Sequence, residues 1–216
     1  MDKKRSGSSI NILGVFQNGF NLYTKNIVTA LFLGLISAGV SFIFSSWLKD
    51  ARAGGLSLLY IFRSAFTVSV SAILILYLHL KEQNKKADLR DAVYRFFSKY
   101  FLVTMVTALA LVAIIIGGFI FFIIPGILFA IWFSQTYYFI LLENKSPADA
   151  LRASKRLTEG RRIAISVIFL IQGIISAVIS AVVGKLFPDA AVGITAIFPG
   201  TFFWFVDYVL YKKLKN

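Results

Sequence analysis

The chain lacks cysteine, has one histidine and four prolines, and is only 15% charged over 216 residues. Without thiols there are no disulfides, thiolate metal sites or cysteine nucleophiles. The lone histidine, His79, excludes a histidine-rich metal cluster, and its position suits an interfacial role. Ten scattered Asp and Glu provide no converging acid, base or metal ligands, so no enzyme activity and no cofactor are expected. Low charge beside 58% hydrophobic residues leaves too little polar surface to coat a soluble globule of this length. The apolar runs are also continuous, without the alternation that barrel strands require.

What is present is a series of apolar runs close to the roughly 20 residues that a helix needs to cross a bilayer. In lipid, each segment must satisfy its own backbone, which favours helices. The expected fold is all-α, a polytopic membrane helix bundle with six transmembrane helices near Ile27–Trp47, Ala65–His79, Phe101–Ile123, Ile127–Leu142, Ile163–Gly184 and Ala190–Tyr211. The domain organisation is a basic cytoplasmic segment, 1–26, holding an interfacial helix, and one transmembrane domain, 27–216. The first apolar run begins at Ile27 and is long enough to span, so it reads as an anchor and not as a cleaved export signal.

Lys49-Asp50, Lys81–Lys99, Glu143–Arg162 and Lys185–Asp189 separate most spans, with hairpin turns at Gly54-Gly55 and Phe187-Pro188-Asp189. The remaining break is Pro125-Gly126 inside an apolar run. Pro fixes φ and Gly accepts φ > 0, so the pair suits a type II turn. One kinked helix from Phe101 to Leu142 would be far longer than a bilayer requires, so a tight hairpin is preferred to a kink. A kink is expected at Pro199-Gly200.

Of the 23 Lys and Arg, all but Lys49, Arg52, Arg63 and Lys185 fall in segments that the six-span topology places on one side. Positive residues in short loops stay cytoplasmic, so both termini are expected on the cytoplasmic side of a bacterial inner membrane. A basic rim also accounts for the net charge of +13 through attraction to anionic lipid, without nucleic acid. No soluble domain remains to present a nucleic-acid-binding face.

Three cytoplasmic segments have helical, amphipathic periodicity that suits the membrane interface: Leu13, Phe16, Phe20, Tyr23; then Leu89, Val93, Phe96, Tyr100; then Leu151, Ser154, Leu157. The last begins well, with Ser146 as N-cap, Pro147 at the first helical position and Asp149 completing a capping box, and Gly160 is its stop. Its cations Arg152, Lys155, Arg156, Arg161 and Arg162 are candidate lipid-headgroup contacts. Three units of an interfacial helix plus a helical hairpin, starting near Leu13, Leu89 and Ala150, suggest an internal repeat. Ala87-Asp88-Leu89-Arg90 beside Ala148-Asp149-Ala150-Leu151-Arg152 supports it.

The residues Ile124-Pro125-Gly126-Ile127, Glu143, then Ala150-Leu151, Ser154, Leu157 and Gly160 resemble the YciC-like multi-pass family and the related membrane domain fused to bacterial glycerophosphoryl diester phosphodiesterases. That pattern runs PG-(I/V), an apolar helix, a Glu, then A-L-x-x-S-x-x-L-x-x-G. The tail from Val209 to Leu214 is similar to the family's ending, and the resemblance covers the chain from Asp88 onward, with the first hairpin matching in hydropathy alone. It implies a polytopic bundle. The phosphodiesterase domain is absent, so its activity is not implied, and the family's membrane domain has no well-defined activity to lend.

Two acids are candidate polar sites. Glu143, at the end of the fourth span, is expected to pair with Arg152 or Arg156 and fix the loop helix, with a lipid headgroup or solute cation as the alternative. Asp207, the most deeply placed acid, suits either a salt bridge at the cytoplasmic edge or a proton or cation site. Gln135 and Gln172 are expected to bond between helices, and Arg63 to snorkel outward from the start of its span. Small-residue ridges on the first span (Ala30, Gly34, Ala38) and the fifth (Gly173, Ala177, Ala181, flanked by Ser176, Ser180 and Gly184) allow close helix packing. Either would serve a homo-oligomer, with intramolecular packing preferred. The function expected is a non-enzymatic envelope or membrane-lipid organiser or sensor, the alternative a small transporter or lipid-handling protein.

Overall fold

Long apolar stretches with few helix breakers dictate the architecture. The computed structural model describes residues 10–50, 53–83, 87–187 and 194–215, and every regular element among them is helical. α1 (Ile12–Lys25) starts where Asn11 Oδ1 accepts the Gly14 N–H at 2.9 Å. It is followed by α2 (Ile27–Asp50) and α3 (Ala53–Gln83). α4 (Leu89–Arg95) begins at Asp88, whose side chain accepts the Leu89 N–H and whose own N–H is returned to Asp91 Oδ2. α4 continues through a π-helical turn, Phe96–Tyr100, into α5 (Phe101–Phe121). Then come α6 (Ile123–Phe133), α7 (Thr136–Glu143), α8 (Pro147–Thr158) and α9 (Arg162–Leu186). A second π-helical turn, Ala196–Gly200, leads into α10 (Thr201–Lys215).

Five stretches are long and apolar enough to cross a membrane: Ile27–Phe44, Arg63–Gln83, Leu89–Ile120, Ile123–Glu143 and Arg162–Leu186. Their outer faces remain apolar, with Val28, Leu102, Val106, Ile120, Leu170 and Ile174 all exposed. Water would drive such a belt to aggregate, whereas a bilayer solvates it. The chain is a helical membrane protein.

The core lies toward one end of the bundle. The second half of α3 is buried on nearly all sides, from Val70 to Leu80, against Tyr138–Leu141 of α7 and Phe205, Tyr208 and Tyr211 of α10. A second cluster joins Val15, Ile131, Ile165 and Ile168 to Phe203, Val206, Leu210 and Leu214. α10 contributes to both and therefore couples them. α1 lies on α10 so closely that a Cβ at Gly19 would sit 2.8 Å from Val206 Cγ2.

Several expectations change. The chain reverses at Phe122, in extended conformation (φ −162°, ψ 148°), and not at Pro125-Gly126, which occupy the first turn of α6. Proline is tolerated there because the N–H it lacks would have no helical acceptor. Gly126 serves close approach: a Cβ on it would lie 2.5 Å from the Phe119 ring, and one on Gly118 would lie 3.0 Å from Gly126 Cα. The expected hairpin is present, with its corner moved. Gly54 and Gly55 lie in the first turn of α3 and form no turn, which also leaves Arg63 well inside that helix. The Phe187 end of the predicted third turn caps α9, while Pro188 and Asp189 are outside the described residues. The expected fourth span is two helices, broken at Ser134 and Gln135. Of the sixth, residues 190–193 are outside the described residues.

The Pro199-Gly200 kink takes the form of the second π-helical turn, where the Thr201 hydroxyl donates to the Ile197 carbonyl. The second amphipathic segment is no separate helix, since α4 runs into α5, with Ala92 and Phe96 as its buried stripe. The paired strings proposed as repeat markers hold different helix positions. Asp88 is an N-cap, whereas Asp149 is the third residue of α8.

Candidate functional site at the charged end

Helix ends meet where the basic residues gather. At the α1–α2 junction, Asn26 Oδ1 accepts from Lys81 Nζ of α3 at 2.8 Å, and Lys81 also donates to Tyr77 Oη. His79 lies one turn from Gln83, ring nitrogen to amide nitrogen 3.0 Å apart. Lys212 of α10 pairs with Glu82 of α3 at 2.7 Å. Arg161, just before α9, donates through a guanidinium N–H to the Leu214 carbonyl at 2.6 Å. These contacts hold the start of α2 and α9 and the end of α3 and α10 at one level.

Glu143 is the node of this layer. Its Oε1 accepts from Tyr211 Oη at 2.8 Å and from Lys215 Nζ, and its Oε2 faces Lys145 Nζ at 3.2 Å. The expected pairing with Arg152 or Arg156 does not occur. Glu143 ends α7, Asn144 turns the chain with left-handed φ of 53°, and the carboxylate is thereby aimed at α10 and away from α8.

α8 is anchored instead by small residues. Ala150, Ser154 and Thr158 form its buried stripe, with Leu151 and Leu157 flanking it half-buried. Ser154 Oγ donates to the Trp132 carbonyl at 2.7 Å and accepts the Gln135 N–H at 3.1 Å. Those two backbone groups flank the break between α6 and α7, so one hydroxyl satisfies the discontinuity and fixes the loop helix to it. The serine of the A-L-x-x-S string thus has a defined role. The Ser146 cap is present, although Asp149 receives the Ser146 hydroxyl and not the backbone N–H of a full capping box. Gly160 follows the end of α8 with φ of 78°.

The five candidate headgroup cations divide. Lys155 Nζ and the Arg162 guanidinium lie 4.6 and 5.1 Å from the Trp132 ring centre, and Arg162 also pairs with Glu159 at 3.6 Å. Arg161 is engaged by α10. Arg152 and Arg156 remain exposed on α8, one turn apart, beside an open hollow. The chain matches no known protein family, no curated protein and no solved structure.

Asp207 has no cation within ion-pair distance among the described residues, so the salt bridge expected at the edge is not formed. Its partner is the Gln172 amide, Nε2 to Oδ1 2.9 Å, an interhelical bond between α9 and α10. Gln135 makes no such bond through its side chain, which donates to the adjacent Ser134. No group of His, Asp and Glu able to hold a metal ion occurs among the described residues.

The α2 ridge packs as expected: a Cβ at Gly34 would lie 3.1 Å from both Cα and O of Ile197. The α9 ridge does not. Ala177 and Ala181 are exposed, and nothing lies within 4 Å of a Cβ placed on Gly173 or Gly184.

Proposed function

We propose that the chain is a six-span protein of the bacterial inner membrane, both termini cytoplasmic, that organises or senses membrane lipid without enzymatic chemistry, using a basic rim that holds anionic lipid. The resemblance to the YciC-like family belongs to the same proposal. The observation that carries it is the meeting of helix ends at the charged level: Asn26 with Lys81, Lys212 with Glu82, and Arg161 with Leu214. Ends that alternate along the chain and meet on one side support an even number of crossings, with α10 and its preceding turn as the proposed sixth. The cations concentrated there favour a cytoplasmic placement of that side.

Reporters active only in the cytoplasm should work after Lys86 or Asn216, and export-dependent ones near Gly54 or Asp189. Cytoplasmic activity at Asp189 would remove the six-span arrangement. Replacing Arg152, Lys155, Arg156, Arg161 and Arg162 together by Gln should strip anionic lipid from the purified protein, each contributing about 1 kcal/mol near such a surface. Unchanged lipid retention would show a merely solvated rim.

Asp207 favours a second reading, a small transporter or lipid-handling protein, because a carboxylate held only by an amide is free of a fixed counter-charge. On that reading Asp207→Asn abolishes movement of a fluorescent lipid between leaflets of proteoliposomes while melting is unchanged. Equal movement by parent and variant sinks it.

A further inference from the structure

The open hollow beside α8 has a volume of about 580 Å³ and brings three chain segments around one space. Lys145 and Lys215 form one wall. Both ammonium groups are fixed by Glu143 and both lie over the Phe139 ring, 4.7 and 5.2 Å from its centre. Each ammonium has three donors, so both keep N–H groups beyond the single carboxylate contact. Arg152 and Arg156 of α8 line the same hollow. Arg152 has only a long, exposed contact to Asp149, at 4.0 Å, and Arg156 has no carboxylate partner among the described residues. Phe139, Ala153 and Leu157 supply the apolar part of its lining.

Four cations therefore line one space, and the carboxylates paired with them are those of Glu143 and Asp149, leaving two positive charges without compensation. A solvated face would not require them to converge. Like charges one turn apart repel, and two lysines held over one ring repel as well, so the arrangement is stabilised when an anion enters. Guanidinium groups suit phosphate oxygens through paired N–H donors, and ammonium groups act as point charges beside them. Apolar lining close in sequence to the end of the span at Glu143 suits the uncharged part of an amphiphile.

We propose that this hollow is a binding site for a phosphate-bearing anion, presented by the headgroup of an anionic phospholipid. Inorganic phosphate is the same chemistry from solution. The proposal rests on the lipid-rim reading but narrows it: Lys145 and Lys215 join Arg152 and Arg156, while Lys155, Arg161 and Arg162 are committed to Trp132 and to α10.

The test is calorimetric titration of the full chain in a neutral detergent with dihexanoyl phosphatidylglycerol, dihexanoyl phosphatidylcholine and inorganic phosphate. The glycerol lipid should bind saturably and the choline lipid much more weakly. Arg152→Gln with Arg156→Gln should weaken phosphatidylglycerol binding about thirtyfold, from the loss of two basic contacts. Arg156→Gln alone, which removes no intramolecular ion pair, should weaken it about fivefold with unchanged melting, so that loss of binding cannot be ascribed to misfolding. Lys185→Gln, at the far end of α9, should bind as the parent does. Displacement of the lipid by equimolar inorganic phosphate would support the site and assign its ligand to solution, whereas no displacement assigns it to the bilayer. If the double variant binds phosphatidylglycerol like the parent, the hollow is wrong and the wider rim stands. If the parent does not distinguish the two lipids, both fall.

Discussion

Two helices carry the same signature of small residues at one-turn spacing, Ala30, Gly34 and Ala38 on α2 and Gly173, Ala177 and Ala181 on α9, and they meet opposite environments. On α2 the stripe is buried against the π-helical turn that precedes α10. On α9 it faces open space, and only 17% of the apolar window of that helix is buried, against 56% in α3. In a bilayer, apolar surface gains nothing by leaving lipid, so a small-residue stripe is only permission to approach. What decides is whether a backbone of matching shape lies opposite. Around Pro199 the helix is underwound into a π turn and presents Ile197 directly to Gly34. No such surface stands before Gly173. The contrast also follows the long axis of the bundle, because the packed contacts of α9, Ile165, Ile168 and Gln172, all belong to its first half.

The largest effect that would test this contrast is expected from Gly34→Val. The atoms nearest the added side chain, each 3.1 Å from its Cβ, are Thr201 Cγ2 and the Cα and O of Ile197, and the Ile197 backbone cannot yield without opening the π turn. A loss of about 3 kcal/mol, the upper end of overpacking costs, should appear as a clear fall in melting temperature in detergent. A variant melting with the parent would mean that α2 does not pack there.

A third stripe of small residues, Ala150, Ser154 and Thr158 on α8, sharpens the comparison because it is buried and also carries a polar function. Ser154→Ala keeps the close fit but leaves the Trp132 carbonyl and the Gln135 N–H without their partner. About 2 kcal/mol should be lost. Ser154→Gly should lose at least as much, whereas Ser154→Cys should recover part of it. If alanine costs nothing, water or lipid already satisfies the break. Gly19→Ala tests the α1–α10 contact. Its Cβ would meet Val206 at 2.8 Å from Cγ2 and 3.0 Å from Cα, so stability should fall by about 1 kcal/mol, read as a lower melting temperature, despite the better helix propensity of alanine.

These sites also show which parts of the structure were legible in the sequence. Helical segments and the charged end were, since run length, the Ser146-Pro147 start and the distribution of Lys and Arg are local signals. The corner at Phe122 was not. Pro125-Gly126 reads equally as a turn or as a helix start that allows close packing, and only the neighbouring Phe119 and Gly118 decide between them. The break at Ser134 and Gln135 carries no Gly or Pro and is held by Ser154, some twenty residues away in sequence. Likewise Glu143 chose Lys215 and Tyr211 from the end of the chain over the nearer arginines. Asn144 was the available clue, because Asn readily takes left-handed φ and so can redirect the segment that follows α7.

The smallest effect is expected on the bare ridge, and it is the one that most directly tests the contrast. At Gly173 an added Cβ meets nothing within 4 Å, so alanine introduces no clash. Alanine also removes the conformational freedom that glycine gives the unfolded chain and raises helix propensity, a gain of up to about 1 kcal/mol in an aqueous helix. Less of that gain survives in lipid, where the helix is already enforced by its backbone hydrogen bonds. Melting of Gly173→Ala should therefore match or slightly exceed that of the parent, and Gly173→Leu should stay within about 0.5 kcal/mol, since the longer side chain extends into the same open space. The measurement is a thermal melt in detergent with size-exclusion chromatography of the same samples. A fall of 2 kcal/mol or more, or a shift of Gly173→Leu to a smaller particle, would show that the ridge is covered by a second copy of the chain. The two stripes would then differ only in the molecule that supplies the opposing backbone.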